Sequence, residues 1–303
     1  MKFVSTLIQA AVASGVLLSS AAFADTATLD KIKASKSITL GVRESSGALG
    51  YTTGNGKYVG FHTEMAERIA TDLRKQLGLS ELEIKFQPVT SQNRIPLVQN
   101  GTVDLECGST TNSTARQKDV SFAMTTYMEE TGIATRANSG IKSIKDLDGK
   151  TVVSTTGTTS VANMRKLERA SKLDMKEVFA KDHADSWLTL STGRADAFVM
   201  DKSILFANRA KDRNAKDFVV LDEVLTKEPI ACMLRKDDTA FQKAVNASIQ
   251  RQIADGSLKT LYTKWFMQPI APTNTSLDMP LSPATAEAWA NPSDKPMEAY
   301  NAK

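Results

Sequence analysis

Three short polar segments of this sequence each contain or precede an arginine that could bind a carboxylate. Arg43 opens the segment RESS, Arg94 closes the segment TSQNR, and Arg116 follows the segment GSTTN. Each segment follows a stretch that predicts a strand, and ligands of open α/β sheets bind beyond the carboxyl ends of the strands. A guanidinium matches a carboxylate with two parallel hydrogen bonds. The pattern therefore predicts a site for a small acidic ligand; the alternative is that the three arginines are exposed surface charges.

The second half of the sequence offers parts that would complete such a site. Residues 157–160 (GTTS) stand at a predicted helix start, where N–H groups favour an anion, although an ordinary Ser/Thr cap fits the same residues. His183 and Asp201 each follow a predicted strand. The Asp201 carboxylate could accept from an ammonium group, or it could cap the helix after it. His62 lies on a predicted helix with no ligand-type residue near it and is interpreted as structural.

The elements that must position these residues alternate between strand and helix. Apolar alternation predicts strands, and apolar residues at intervals of four predict helices. The predicted strands are 37–42, 82–89, 103–107, 151–154, 175–180, 196–200, 218–221 and 230–234, and 133–135 could form an edge strand; the main predicted helices are 29–34, 61–77, 91–100, 157–172, 183–193 and 202–211. Two similar α/β blocks of this kind favour two domains over one large sheet.

The last residues of the chain differ in composition from the rest. Six of the nine prolines fall between Pro269 and Pro296. Proline has no backbone N–H to donate and interrupts both helices and sheets. Residues 267–303 are therefore predicted either to be extended over the surface of the protein or to be disordered.

Composition and motifs exclude several functional classes. The 303 residues carry a formal charge of +4, spread along the chain, so a nucleic-acid partner is not expected. Two cysteines and two histidines leave no room for a four-cysteine or histidine-rich metal site, and no metal or cofactor is expected. The G-x-S-x-G, P-loop, H-E-x-x-H and G-x-G-x-x-G motifs are absent. Two cysteines 125 positions apart could form a disulfide or remain buried thiols.

The first 24 residues have the features of a secretory signal peptide. Lys2 provides a positive start, residues 3–18 are mostly apolar or small, and the A-x-A pattern ends at Ala24. An N-terminal membrane anchor is the alternative, but polar residues interrupt the stretch and it falls short of about 20 apolar residues. We therefore expect cleavage after Ala24 and a soluble, exported protein in an oxidising compartment.

Several of these segments together resemble the periplasmic solute-binding proteins of ABC-type amino-acid importers, and most closely those that bind glutamate and aspartate. The residues that carry the resemblance are RESS (43–46), TSQNRIPLVQNGTVDLECGSTTN (90–112), Arg116, GTTS (157–160), AKDH (180–183), GRADAFVMD (193–201) and CMLRKDD (232–238). The resemblance extends over the predicted mature chain to about residue 272. Its most specific parts are SQNRIP and ECGSTTN.

The resemblance implies an α/β, two-lobed Venus-flytrap fold of the periplasmic-binding-protein type, type II-like, with two hinge crossings. Lobe one would comprise residues 25–126 and 230–303, and lobe two residues 132–225. The hinges would lie at about 125–131 and 226–230. In this fold the strand after the second crossing returns antiparallel beside the third strand of lobe one. That arrangement would bring Cys232 next to Cys107 and implies a disulfide between them.

The resemblance also implies a role for each site residue. Arg116, Thr111 and Thr159 would bind the ligand α-carboxylate, Asp201 and Ser109 the α-ammonium, and Arg43, Ser91, Arg94 and His183 the side-chain carboxylate. A carboxylate beside His183 would raise the pKa of its imidazole. Where the family often has an aromatic residue after RESS, this chain has residues 47–50 (GALG), so the pocket wall there is expected to be softer or wider.

The implied function is extracytoplasmic binding of L-glutamate or L-aspartate by a monomer that delivers it to an inner-membrane ABC permease, with no catalytic residue. One alternative is an exported enzyme on the same fold, such as a dehydratase of a carboxylated ring, which would need a general acid in the cleft. Besides Asp201, only Glu44 and Glu106 are expected near that cleft. Another alternative is a receptor for a dicarboxylate without an ammonium group, against which the Asp201 carboxylate argues.

Overall fold

The computed structural model describes residues 27–301, so the predicted signal peptide (1–24) lies outside the described residues. The helices are α1 (Ala27–Ser35), α2 (Phe61–Gln76), α3 (Arg94–Gln99), α4 (Thr159–Ser171), α5 (His183–Ser191), α6 (Lys202–Lys211), α7 (Thr239–Ala254), α8 (Ser257–Tyr262) and α9 (Pro283–Ala290). The strands are β1 (Ser37–Val42), β2 (Tyr51–Gly54), β3 (Lys57–Val59), β4 (Glu83–Pro88), β5 (Leu105–Glu106), β6 (Val120–Arg136), β7 (Thr151–Thr155), β8 (Lys176–Ala180), β9 (Ala197–Asp201), β10 (Phe218–Val220) and β11 (Thr226–Arg235). Over this range no helix combines the length and apolar character that a membrane crossing needs.

Nine of these strands form one hydrogen-bonded sheet that runs through two lobes. Its order is β4-β1-β5-β11-β6-β9-β7-β8, and β10 pairs with β6. The strands β4, β1 and β5 are mutually parallel in the first lobe, as are β9, β7 and β8 in the second. Each lobe has its own hydrophobic clusters on the faces of its part of the sheet. The expected two α/β units are present, but they share a continuous sheet.

Helix α2 illustrates how the sequence pattern forms the lobes. Phe61, Met65, Ile69 and Leu73 recur at intervals of four and are all buried. That spacing places the four side chains on one face, which packs on the sheet. The predicted 61–77 agrees with the observed helix to within one residue.

Two paired strands carry the chain between the lobes. Strand β6 has 17 residues, about 55 Å of extended chain. It pairs antiparallel with β11, from Val120 opposite Arg235 to Thr131 opposite Thr226. The register shifts on either side of Ala231, which marks a bulge in the ladder. The prediction of an edge strand at 133–135 is wrong, because these residues are the end of β6 and lie between β9 and β10.

The proline-rich tail packs on the linking strands. The Trp289 indole donates to the Thr126 carbonyl at 2.8 Å, and Thr125 N–H donates to the Ser293 carbonyl at 2.9 Å. Met128 N–H donates to Thr285 Oγ1 at 3.1 Å. Of the two alternatives, the tail draped over the surface is the one observed. Helix α9 was not predicted; it begins at Pro283, where proline at the first helical position is favourable.

The two cysteines form a disulfide inside the first lobe. Strand β11 returns antiparallel to β5, with Met233 opposite Glu106, and this places Cys107 and Cys232 side by side with their Cα atoms 4.3 Å apart. Both cysteines are buried. The disulfide prediction is therefore confirmed.

Removing this disulfide should destabilise the protein without unfolding it. The bond closes a loop across a sequence separation of 125, so replacing Cys107 and Cys232 together by alanine should lower the free energy of unfolding by about 4 kcal/mol. Urea unfolding of the double variant measures the loss. Wild-type protein unfolded in a thiol reductant should give the same midpoint as the variant. Equal midpoints for oxidised wild type and the variant would contradict the expectation.

Candidate functional site

The predicted site residues lie at the carboxyl ends of strands from both lobes. Arg43 follows β1, while Ser91 and Arg94 follow β4. Because β1 and β4 are parallel and adjacent, these side chains emerge at the same edge of the sheet. Ser109 and Thr111 follow β5 at that edge. In the second lobe Thr159 follows β7, His183 follows β8, and Asp201 ends β9. The two edges face each other across an interlobe cleft.

Arg43 joins both sides of the cleft. It is only 2% exposed, and its Nη1 donates to Ser109 Oγ and its Nη2 to Ser91 Oγ, both at 3.0 Å. The same Nη2 lies 3.1 Å from His183 Nε2, which belongs to the second lobe. Burial is the main cause, and repulsion from Arg94 the second, that lowers the pKa of Arg43 to about 10. The residues predicted to bind the side-chain carboxylate are thus brought together around one guanidinium.

Arg94 has donors that remain available. It is buried, its Nη1 donates to the Ser109 carbonyl at 3.0 Å, and within the described residues its Nε has no hydrogen-bond partner. Glu106, behind these arginines, accepts from Thr110 Oγ1 at 2.5 Å, and its other carboxylate oxygen has no partner among residues 27–301. A buried donor without a partner is costly and indicates a place for a bound acceptor.

Arg116 spans the cleft at the other end of the site. Its Nη1 donates to the Thr111 carbonyl at 2.8 Å in the first lobe, and its Nη2 to the Gly157 carbonyl at 3.2 Å in the second. Burial and repulsion from Arg94 lower its pKa to about 9. Gly157 has φ +81°, and a Cβ there would lie 2.7 Å from Gln92 Cα. Only glycine allows the lobes to approach this closely at that point.

Asp201 is a buried carboxylate with no partner for either oxygen in the described part of the chain. Burial, and then the negative charges of Glu129 and Glu228, raise its pKa well above 3.8. Arg94 and Arg116 act in the opposite direction. A cationic donor in the cleft would satisfy both oxygens and favour the ionised form.

Two further buried acids in this region were missed by the sequence analysis. Glu228 on β11 accepts from Thr111 and Thr159, so the expectation that only Glu44 and Glu106 would accompany Asp201 is wrong. Glu44 itself is exposed. The signal in the sequence was an acid directly before the apolar run 229–234 (PIACML).

The second missed acid is Glu129 on β6, opposite Glu228 in the ladder. Ser203 Oγ and Ser203 N–H both donate to its carboxylate. Burial is the main cause that raises the pKa of Glu129 to about 7. Glu129 is therefore bonded to the start of α6 and makes none of the hydrogen bonds across the cleft described above.

His183 is held as a neutral imidazole. Its Nε2 accepts from Arg43, so its Nδ1 carries the proton and lies 2.9 Å from Thr155 Oγ1. Burial and the charges of Arg43 and Arg94 hold its pKa well below 6.5. Two arginines face the ring, and the raised pKa expected beside a ligand carboxylate stays a prediction.

The segment that replaces the expected aromatic residue closes the cleft wall. Gly47–Leu49 forms a buried 3-10 turn packed against α6. Gly47 has φ +59°, and a Cβ there would lie 2.9 Å from Ala207 Cβ. The pocket wall at residues 47–50, which was expected to be softer or wider, is instead in close contact with the second lobe.

His62 has the structural role inferred from the sequence. It is buried, its Nδ1 lies 2.6 Å from the Gly108 carbonyl, and its Nε2 lies 2.9 Å from Thr126 Oγ1. Burial lowers its pKa to about 4. His62 thus ties the loop that carries Ser109 to strand β6.

Comparison with known sequences matches this chain to one family. Residues 38–268 fit the family described as "Bacterial extracellular solute-binding proteins, family 3". An "L-glutamate/L-aspartate-binding protein" of Pseudomonas aeruginosa is 40% identical over 98% of this chain and 99% of its own length. A "Glutamate/aspartate import solute-binding protein" of Escherichia coli is 40% identical over 88% of this chain and 89% of its own length.

Solved structures show the same architecture. A mutant of ArgBP from T. maritima superposes with a TM-score of 0.71 and 28% identity over 80% of this chain and all of that one. A substrate-binding protein of an ABC uptake transporter from Streptococcus pneumoniae superposes with a TM-score of 0.72 at 23% identity, over 80% of this chain and 97% of that one.

The neutral state of His62 should be visible in the pH dependence of stability. Below pH 6.5 the unfolded chain takes up a proton at this residue, whereas the folded protein does so only near pH 4. The free energy of unfolding should therefore fall by about 1.5 kcal/mol between pH 6.5 and pH 5 on account of His62 alone. In His62→Gln the free energy of unfolding, measured with urea, should fall over the same interval by about 1.5 kcal/mol less than in wild type. Parallel curves for the two proteins would show that His62 ionises in the folded state.

Proposed function

Because the chain belongs to the bacterial extracellular solute-binding proteins of family 3, we propose that it binds L-glutamate or L-aspartate outside the cytoplasm and delivers it to an ABC-type permease. The observation that carries the proposal is the presence of three arginines and one unpartnered carboxylate, that of Asp201, in a single interlobe site. This set complements a ligand with two carboxylates and one ammonium group.

Arg116 would bind the ligand α-carboxylate with help from the backbone N–H groups of Thr111 and Thr159, because the hydroxyls of both threonines donate to Glu228. Two of its N–H groups are fixed on backbone carbonyls from opposite lobes, which holds the guanidinium plane in place. A guanidinium has five N–H donors, so further donors remain for a carboxylate. Thr111 and Thr159 lie beside it, with their hydroxyl oxygens 3.2 Å apart.

Asp201 and Ser109 would bind the α-ammonium. Both oxygens of Asp201 need a donor, and an ammonium has three. The Ser109 carbonyl already accepts from Arg94 and has a second lone pair to offer. Pairing with a cation would also offset the repulsion that Glu129 and Glu228 exert on the ionised form of Asp201.

The side-chain carboxylate would be bound by Arg43, Ser91, Arg94 and His183, with His183 acting through Arg43, whose guanidinium donates to its Nε2. Ser91 and His183 already hold Arg43, which sets the direction of its remaining donors. Two arginines for one carboxylate favour an acid over its amide, because the amide would direct an NH2 donor toward a guanidinium donor. Burial makes such a mismatch costly.

Closure of the lobes would complete the site. We place the hinges at about residues 125–131 and 226–230, where β6 and β11 pass between the lobes. A ligand that contacts both lobes shifts the open–closed population toward the closed form. Export would depend on the predicted signal peptide (1–24) and would place the protein in the periplasm. We propose that it acts there as a monomer.

The alternatives have less support. The named relatives are binding and import proteins, which argues against an exported dehydratase. A dicarboxylate without an ammonium group would leave the oxygens of Asp201 without a donor in the cleft.

Calorimetric titration of the wild-type protein tests the ligand class. L-glutamate and L-aspartate should both give a saturable heat, and at least one should bind at least about 100-fold more tightly than L-glutamine. Succinate, which has no ammonium group to pair with Asp201, should bind at least about 100-fold more weakly than either amino acid. The absence of heat with glutamate and aspartate would overturn the proposal.

Arginine variants should separate the two ends of the ligand. Arg116→Ala should weaken glutamate and glutamine alike, by about 100-fold or more, because both share the α-carboxylate. Arg94→Ala should weaken glutamate much more than glutamine and so lower the ratio of their affinities. Arg213→Ala removes an exposed arginine of the second lobe and should leave both affinities unchanged. Equal losses for glutamate and glutamine in Arg94→Ala would refute its assignment to the side-chain carboxylate.

A further inference from the structure

One buried carboxylate receives hydrogen bonds from both lobes and from both linking strands. Glu228 Oε2 accepts from Thr111 Oγ1 at 2.5 Å and from Thr159 Oγ1 at 2.6 Å. Its Oε1 accepts from three more donors: Asn163 Nδ2 at 2.9 Å, Thr226 Oγ1 at 3.0 Å and Thr131 Oγ1 at 3.1 Å. The side chain is fully buried.

On the proposed function, these donors come from parts of the chain that would move relative to one another as the cleft opens. Thr111 belongs to the loop after β5 in the first lobe, and Thr159 and Asn163 lie on α4 in the second. Thr131 and Thr226 face each other at the end of the β6–β11 ladder. Rotation of one lobe about this ladder must therefore separate at least one of the two threonines from Glu228 Oε2.

We propose that Glu228 is a positioning residue that assembles the α-carboxylate end of the site by holding Thr111 and Thr159 together across the cleft. It thereby favours the closed form. The inference rests on the proposed function, because it assigns to Glu228 the placement of two residues of that site. Glu228 acts through the threonines and is not itself assigned a contact with the ligand.

The geometry explains why a carboxylate is suited to this position. The two oxygens of an ionised carboxylate together offer about four acceptor sites, so Oε2 can accept from both threonine hydroxyls at once while three donors share Oε1. The five donors are uncharged, which leaves Arg116 available for the ligand. Hydrogen bonds to a charged acceptor are short and about twice as strong as neutral ones, in keeping with the 2.5 Å and 2.6 Å distances.

Glutamine at this position keeps the shape of the side chain but replaces one acceptor oxygen with a donor. In Glu228→Gln we expect the Kd for glutamate and for aspartate to rise by the same factor, between about 10-fold and 100-fold, since both ligands share the α-carboxylate end. The change should lie mainly in the dissociation rate, measured by stopped-flow fluorescence, because a closed form that is less favoured releases ligand sooner.

A double-mutant cycle tests whether Glu228 acts through the threonine. Thr159→Val removes one of the two donors to Oε2. If Glu228 works by holding Thr159, the effects of Glu228→Gln and Thr159→Val on affinity should be strongly non-additive, and the double variant should be little worse than the weaker-binding single variant. A purely structural role for Glu228 predicts that the two effects add.

Asp238→Asn provides the matched control. Asp238 is also a buried, multiply hydrogen-bonded carboxylate, but its partners Thr28, Phe241 and Arg235 all lie in the first lobe, away from the cleft. This variant should lower stability and leave the Kd within about threefold of wild type. Should Glu228→Gln fail to fold, the separate variants Thr159→Val and Asn163→Ala test the same contacts one at a time, and both should raise the dissociation rate.

The failure of this inference can be told apart from failure of the proposed function. If wild-type protein binds neither glutamate nor aspartate, the proposed function is wrong. If wild type binds but Glu228→Gln stays within about threefold of it, or if its effect simply adds to that of Thr159→Val, the positioning role is overturned and the proposed function stands.

Discussion

The antiparallel pairing of β6 with β11 is the constraint on which the rest of the structure depends. It carries the chain between the lobes in both directions and joins their strands into one sheet. The ladder supplies two of the donors to Glu228, and its bulge lies where the tail hydrogen-bonds to β6. Because both lobes are anchored to the same pair of strands, the strand ends that bear the site residues are fixed opposite each other. The cleft is therefore a consequence of this one pairing.

The cost of burying charges in the cleft is reduced by opposite charges nearby. Burial alone disfavours the charged form of every group there: it lowers the pKa of Arg43 and raises that of Asp201. Opposite charges nearby act against that cost, as Glu106 does for both Arg43 and Arg94. A ligand with two carboxylates and one ammonium would supply acceptors to the arginine N–H groups that remain available. It would also supply a donor to the Asp201 carboxylate, which has none among residues 27–301. The electrostatics thus favour an acidic amino acid over either a neutral amino acid or a simple dicarboxylate.

Much of the fold was predictable because its elements follow simple periodic patterns. The four-residue spacing of α2 placed that helix to within one residue, and polar segments after strands placed the arginines at one sheet edge. Three features were not accessible in this way. Strand β6 is buried along most of its length, so the alternation that marks a half-exposed strand is missing and only 133–135 was found. Glu228 was missed because its donors are distant in sequence. The pKa of His183 depends on two arginines that only the fold brings near it.

The division of the site between the lobes sets the order in which a ligand would meet its contacts. The arginines all belong to the first lobe, whereas Asp201, Thr159 and His183 belong to the second. On the proposed function, carboxylates are therefore captured first, and the ammonium group is tested only when the lobes come together. Closure requires close approach at Gly47 against Ala207 and at Gly157 against Gln92, where a Cβ would collide. A ligand that fills the cleft badly would prevent both contacts, so on the proposed function the closing step adds its selectivity to that of the arginines at capture.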